Sequence, residues 1–296
     1  PGAGPAEPRG VDVLDVGTPF DHERQAILYV PPAGFPAPAG PERTAHTAAV
    51  LRELTALVRA AGGRTLALFT TTRAARDAAA HLRAAVTTPV LVQGEAPTAR
   101  LVQEFAAVEE STLCATMGMW QGVNVPGPSL SCVVMDKVPF APLDDPLLSA
   151  RREAADAAGR DGFTEVHVAA AAVALAQGAG RLVRTSTDRG VVAVLDPRLR
   201  TKAYGPLLLA SLPEGMRRFS DLEVVTGALT RLVATTAGPG AVRGPEVPTP
   251  RVDAPAGAPS DASAGAPADP PVRRAAPRRG ATRALARRTR AGGTGT

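Results

Sequence analysis

The chain has 296 residues and a formal net charge of +5, with 45% hydrophobic but only 3% aromatic residues, which suits one large or two small globular domains. Two cysteines (Cys114, Cys132) and four histidines (His22, His46, His81, His167) show no ligand spacing, which leaves no set for an iron–sulfur cluster or for zinc. No apolar run approaches a membrane span and no signal peptide is visible, so a cytoplasmic protein without a membrane partner is expected.

Residues 1–19 read as a Pro/Gly-rich linker, and the start at Pro1 reads as that of a piece cut from something longer. Ala26–Val30 is a short strand stopped by Pro31-Pro32, and a loop rich in Pro, Gly and Ala runs to about residue 43. From Thr44 to Ala61 the residues Val50, Leu51, Leu54, Leu57 and Val58 recur at helical spacing, ending at Gly62-Gly63. Thr65–Phe69 is a buried strand; about 73–86 is a helix with Ala75, Ala78, Ala79, Leu82 and Val86 on one face. Pro89–Val92 is a strand, about 97–108 a helix, and Thr112–Thr116 and Leu130–Met135 are strands. Both cysteines fall in these apolar runs and read as buried free thiols.

Helices follow at about 145–158 and 163–178, then a strand at Val191–Leu195 ending at Asp196-Pro197, then a helix at about 220–235. Strands apolar on both faces and separated by helices specify a parallel sheet covered on both sides. In such sheets the loops after the strand carboxyl ends carry function, and the chemistry-bearing segments below are expected there.

From Gly238 onward large apolar residues all but vanish. Such a segment cannot offset its ordering entropy, so 237–296 reads as a disordered Pro/Ala/Arg-rich tail. It carries ten arginines against four carboxylates, so the body is near neutral and the basic character belongs to the tail. The tail reads either as a solvated linker or as a weak, salt-sensitive contact with nucleic acid.

Three segments carry chemistry. Gln177-Gly178-Ala179-Gly180-Arg181-Leu182-Val183-Arg184 reads Q-x-x-G-R-x-x-R. With Arg184 three residues after Arg181, a helix would project both guanidiniums from one side, toward one phosphate. Asp188 is close enough in sequence to orient an arginine, or to cap the turn before Gly190. Leu68-Phe69-Thr70-Thr71-Thr72-Arg73 is a strand end followed by hydroxyls and a base. Thr70, Thr71 and Arg73 read as a phosphate contact or as an ordinary helix N-cap. Ala115–Gly127 contains Trp120, the sole tryptophan, which reads as a stacking platform or as a core anchor.

In this order the segments resemble motifs IV, V and VI of superfamily 2 helicases related to DinG and XPD. The third continues Thr187-Asp188-Arg189-Gly190, a strand, then Asp196-Pro197-Arg198; the second continues Asp136-Lys137-Val138-Pro139-Phe140 and Asp144-Asp145-Pro146. The resemblance covers about residues 14–235 and implies an α/β fold of the RecA-like class, with residues 20–236 as the second motor domain. It implies that Arg181 and Arg184 act as fingers on ATP, with Gln177, Gly180, Gly122, Asn124 and Asp188 about the nucleotide. Single-stranded DNA would then run past Thr70, Thr71, Arg73 and Trp120. Gln121 stands where the family has Glu and Asn124 where it has Asp, so both keep hydrogen-bonding capacity and lose charge.

No G-x-x-x-x-G-K-[ST] and no D-E-x-H occur in the 296 residues. The resemblance therefore implies that ATP with Mg2+ is bound mainly by an upstream domain of the same protein, and that this piece alone does not turn ATP over. The resemblance thus implies the motor half of an ATP-dependent DNA helicase, or a helicase-derived module that binds nucleic acid without turnover. An unrelated nucleotide-binding enzyme would need a phosphate loop of its own.

Overall fold

The structure, a computed structural model, describes residues 17–120 and 127–236. The expected tail at 237–296, most of the expected linker, and Gln121, Gly122 and Asn124 lie outside the described residues. In chain order the elements are α1 (His22–Gln25), β1 (Ala26–Tyr29), α2 (Arg43–Ala60), β2 (Thr65–Phe69), α3 (Thr72–Ala85), β3 (Val90–Val92), α4 (Thr98–Ala107), β4 (Thr112–Thr116) and β5 (Cys132–Met135). Then come α5 (Pro146–Ala157), a π-helical turn (Phe163–Val168), α6 (Ala169–Ala179), β6 (Gly190–Val194), α7 (Arg198–Thr201), α8 (Gly205–Ala210), β7 (Arg217–Phe219) and α9 (Leu222–Thr236).

The strands form one sheet in the order β3-β4-β2-β5-β6-β1-β7, and every pair is parallel. Alternation along each strand sends side chains to two cores. Leu66, Leu68, Leu113, Val133, Met135, Val192 and Val194 pack beneath α4, α6 and α8 through Phe105, Leu175 and Leu208. Ala67, Phe69, Cys114, Cys132, Val134, Val191 and Ala193 pack beneath α2, α3 and α9 through Leu54, Leu57, Leu82, Val225 and Leu229. This is the doubly covered parallel sheet of the RecA-like class. Both cysteines are free and buried, and burial pushes each thiol up to about 12.

The apolar strands and the longer amphipathic helices fall within a few residues of expectation. The expected helix at 163–178 instead opens with the π-helical turn, where His167 is wholly buried and stacked on Phe163 at 5.7 Å. Helices α1, α7 and α8 and strand β7 were not expected, because none is long enough to establish a period. Strand β7 reads Arg-Arg-Phe with both arginines exposed, as suits the edge of a sheet.

The turn after α2 fixes where β5 begins. Gly62 and Gly63 have φ of +58° and +84°, and a Cβ on Gly63 would lie 1.8 Å from the Glu110 carbonyl oxygen. Arg64 follows at φ +38° with its side chain buried, held 3.7 Å from Glu109 and 3.8 Å from Glu110. Its carbonyl accepts from the N–H groups of Ser131 (2.9 Å) and Cys132 (3.1 Å), setting β5 against β2. Gly63→Ala combines a left-handed φ with a backbone clash and is expected to lose more than about 2 kcal/mol in chemical denaturation. Gly40→Ala, at φ +67° with nothing within 4 Å of the added carbon, is expected to lose only about 1 kcal/mol.

Candidate functional site

In an all-parallel sheet every segment leaving a strand lies on one edge and every segment entering a strand lies on the other. The three chemistry-bearing segments were expected to share the carboxyl edge. They do not: Thr70, Thr71 and Arg73 leave β2 there, whereas Gln177–Arg189 enters β6 and lies on the amino edge.

Arg181 and Arg184 are also not on a helix, contrary to expectation. Helix α6 ends at Ala179, with Gly180 as its C-cap, and Arg181 and Leu182 continue as a turn through bonds to Gly178 and Ala179. Two glycines within three residues weaken the helix at this point. Beyond the turn, the Asp188 carboxylate accepts from the N–H groups of Arg184 (2.9 Å) and Thr185 (2.8 Å), so no helical ladder forms. Leu182 and Val183 are buried and anchor the stretch. The two arginines are brought together by this turn, not by helical spacing. Burial, and then the nearby Arg181 charge, hold the Arg184 guanidinium below the usual arginine range, with Asp188 opposing. Gln177 is exposed in the last turn of α6. Asp188 is buried and accepts from the backbone of the turn.

Gln25 is a residue the sequence reading missed. Its Nε2 donates to the carbonyls of Thr185 (2.9 Å) and Asp188 (3.0 Å), and its Oε1 accepts from the Asp21 N–H (2.9 Å). A buried glutamine thus ties the arginine-bearing turn to the start of β1. No motif could have announced it, because the carbonyls to which it donates lie some 160 residues away. Gly190 permits the neighbouring strand to approach: a Cβ there would sit 2.1 Å from the Ser131 carbonyl oxygen.

On the carboxyl edge, Thr71 caps α3 by accepting from the Ala74 N–H (3.2 Å), so the N-cap reading holds for that residue. The Thr70 N–H donates to Asp136 Oδ1 (3.2 Å), and the Thr70 hydroxyl is shielded from solvent without a hydrogen-bond partner among the described residues. The Arg73 side chain is 92% exposed, 3.7 Å from Asp77, and so available to a ligand. The Trp120 backbone ends a 3-10 turn leaving β4; its side chain lies outside the described residues.

Two carboxylates at the ends of β5 and β6 organise this edge. Asp196, fully buried, accepts from the N–H groups of Val138 (2.9 Å) and Arg198 (2.9 Å) and from Arg198 Nη2 at 2.7 Å. The same guanidinium lies 5.3 Å from the centre of the Phe140 ring. His46 Nε2 bonds the Leu195 carbonyl (3.0 Å), and burial draws that imidazole below its usual value. Asp136 holds Thr70 and lies 3.2 Å from Lys137 Nζ. Burial pushes Asp136 up to about 6, with the Lys137 charge and hydrogen bonds opposing. Among the described residues, no group of three or more His, Cys, Asp or Glu could hold a metal ion, and no helix is long and apolar enough to cross a membrane.

A family model described as "Helicase C-terminal domain" matches residues 54–215. The chain is 49% identical over 228 residues to the ATP-dependent helicase DinG of Mycobacterium tuberculosis (strain ATCC 25618 / H37Rv), over 76% of this chain and 33% of that protein. It is 42% identical over 200 residues to the ATP-dependent DNA helicase YoaA of Escherichia coli (strain K12), over 68% of this chain and 31% of that protein. Among solved structures it is similar to that of S. tokodaii Xpd4, with TM-score 0.49 and 16% identity over 66% of this chain and 39% of the other. The chain spans about a third of the length of the curated relatives it matches.

Because Asp136 has its folded value raised from 3.8 to about 6, the folded state binds this proton more tightly than the unfolded one. Its contribution favours folding at low pH and is lost as pH rises from about 4 through about 6. Asp136→Asn keeps an oxygen for the Thr70 N–H and abolishes the titration. The stability of the variant relative to wild type is expected to rise by on the order of 2–3 kcal/mol between pH 4 and pH 7, read from denaturation midpoints. A difference that stays flat across that range would show that the ionised carboxylate carries no net burial cost.

Proposed function

We propose, given that this chain belongs to the helicase C-terminal domain family of the DinG/XPD type, that it serves as the second motor domain of an ATP-dependent DNA helicase. Its amino edge closes on ATP held by a phosphate-loop domain, and its carboxyl edge carries part of the track for single-stranded DNA. The observation that carries this reading is the turn at 181–188. Both arginines of this turn are half-buried, and burial, then the Arg181 charge, draw the Arg184 guanidinium below the usual arginine range. Negative charge that develops between them on a transferred phosphoryl group relieves that repulsion and gains two charge-assisted contacts in the transition state.

The roles follow from charge. Magnesium arrives as part of the ATP substrate and sits with the phosphate-loop domain. Arg181 and Arg184 add positive charge on the opposite side, where charge develops on the transferred phosphoryl group. Gln177 and Gly180 border the same turn. Gly122 and Asn124 are assigned to the nucleotide by family resemblance alone. Asp188 acts at one remove, holding the backbone from which Arg184 projects. Once the P–O bond is cleaved by water and the inorganic phosphate leaves, the arginines lose the charge that they face, the closure weakens and the two domains move relative to each other along the strand. On the other edge, Arg73 supplies an exposed cation in the first turn of α3, beside its cap Thr71, and Trp120 is assigned to the strand by family resemblance. Thr70 belongs to this group through its backbone, because its hydroxyl is turned away from solvent.

The test is ATP hydrolysis by this chain joined to a phosphate-loop domain, with and without single-stranded DNA. Arg184→Ala is expected to lower kcat on the order of 10³-fold while leaving nucleotide affinity nearly unchanged, as fits an arginine acting in the transition state. Wild-type turnover in that variant would dismiss the finger assignment. An inert wild-type protein that still binds DNA would favour the binding module without turnover.

A further inference from the structure

The carboxyl edge holds a second set of donors that neither the family motifs nor the reading above includes. Gln93 follows β3, and its Oε1 accepts from both the backbone N–H (2.7 Å) and the hydroxyl (2.9 Å) of Thr116 at the end of β4. A backbone N–H can only donate, so the carboxamide has one permitted orientation. Its oxygen is fully engaged, and its Nε2, with two donors, turns away from Thr116. The residue is half-buried, and its own N–H is fixed to the Cys114 carbonyl at 2.9 Å. The group is therefore held in place before any ligand arrives.

Its surroundings favour an anion. Gly94 has φ +99°, and a Cβ there would fall 2.9 Å from Arg76 Nη2, so the Arg76 guanidinium lies against the bare backbone beside Gln93. Arg76 is one turn beyond Arg73 on the exposed side of α3. The neighbouring Glu95 is engaged by Arg83 in a bidentate pair at 2.6 and 2.7 Å, which, with the Arg83 and Arg76 charges, holds it below the usual carboxylate range. Phe69 pairs with Thr116 and Val92 with Cys114, so Thr70, Thr116 and Gln93 lie at or one residue beyond the ends of β2, β4 and β3, stepped across three adjacent strands. Three neighbouring strands span roughly 10 Å across the sheet.

We propose that Gln93, with Arg76 over Gly94, is a further contact for the sugar–phosphate backbone of single-stranded DNA, extending the track from β2 across β4 to β3. The inference rests on the reading of the carboxyl edge as that track. An amide N–H and a guanidinium recognise phosphate and sugar oxygens without reading bases, as a translocating motor requires.

The test uses the whole chain and a fluorescent oligothymidylate, with affinity measured by anisotropy over a salt series. Gln93→Glu keeps an oxygen for Thr116 and replaces both donors with a second carboxylate oxygen. It is expected to weaken binding about tenfold without lowering the melting temperature, and Gln93→Ala about threefold. Arg76→Ala is expected to reduce the slope of log affinity against log salt by about 0.7. Hydrogen exchange gives a local readout in the same protein: segments 70–76 and 90–95 are both expected to gain protection when the oligonucleotide binds. If Arg73→Ala weakens binding and 70–76 alone is protected, while Gln93→Glu and Arg76→Ala bind as wild type, the extension to β3 is wrong and the track survives. If neither segment responds and Arg73→Ala also binds as wild type, the track reading fails and takes this inference with it.

Discussion

Parallel pairing is the constraint on which the rest of this molecule depends. Seven strands running the same way put every strand start on one edge and every strand end on the other. A strand of five residues then separates the two edges by roughly 16 Å. Segments close in the chain can thus lie on opposite sides of the domain, and distant segments can meet. The arginine-bearing turn meets Gln25 from the start of β1, and the loop after β2 meets Asp136 from the end of β5. Parallel strands also need long crossovers, and the helices that form them cover both faces of the sheet. Both cores follow from that covering.

Buried carboxylates are the means by which this fold holds its loops. Asp188, Asp196 and Asp136 each sit at an end of β5 or β6, and each accepts backbone N–H groups that no strand or helix can use. Satisfying such groups matters because a buried, unpaired N–H costs as much as a lost hydrogen bond. The three sites differ in how their charge is met. Asp196 has a bidentate guanidinium, whereas Asp136 has a single ammonium at 3.2 Å and few donors, so its charged form suffers from burial. The hold of Asp136 on the loop after β2 is therefore sensitive to pH.

The division into two edges gives the proposed motor a physical layout. Strands β5 and β6 run from the amino edge, where the arginines lie, to the carboxyl edge, where Asp136 and Asp196 hold the loops beside the proposed strand track. These are central strands, buried on both faces, and a close-packed core transmits displacement instead of absorbing it. Gly190 brings β6 against the Ser131 carbonyl, so the turn that carries Arg184 and the entry to β5 are in direct contact. On this reading, nucleotide-dependent movement at one edge has a short, stiff route to the other.

Much of this was open to a reader of the sequence. Runs such as Thr65–Phe69 and Val191–Leu195, apolar at every position, are long enough to announce buried parallel strands, and Gly62-Gly63 announces the turn between α2 and β2. Q-x-x-G-R-x-x-R, in order with the threonine and tryptophan segments, identified the family, because residue type and spacing are properties of the chain itself. Sequence spacing did not decide how Arg181 and Arg184 come together. That depended on Asp188 capturing two nearby N–H groups and on Gln25 reaching over from the start of β1, the latter a contact made only once β1 and β6 are paired. The opposite edges of the arginines and threonines were implicit in a parallel sheet, because one segment precedes its strand and the other follows it; the orientation of the Gln93 carboxamide was not, because its partners are set by the assembled sheet. Local chemistry is written residue by residue; which residues face one ligand together is decided by hydrogen bonds between segments far apart in the chain.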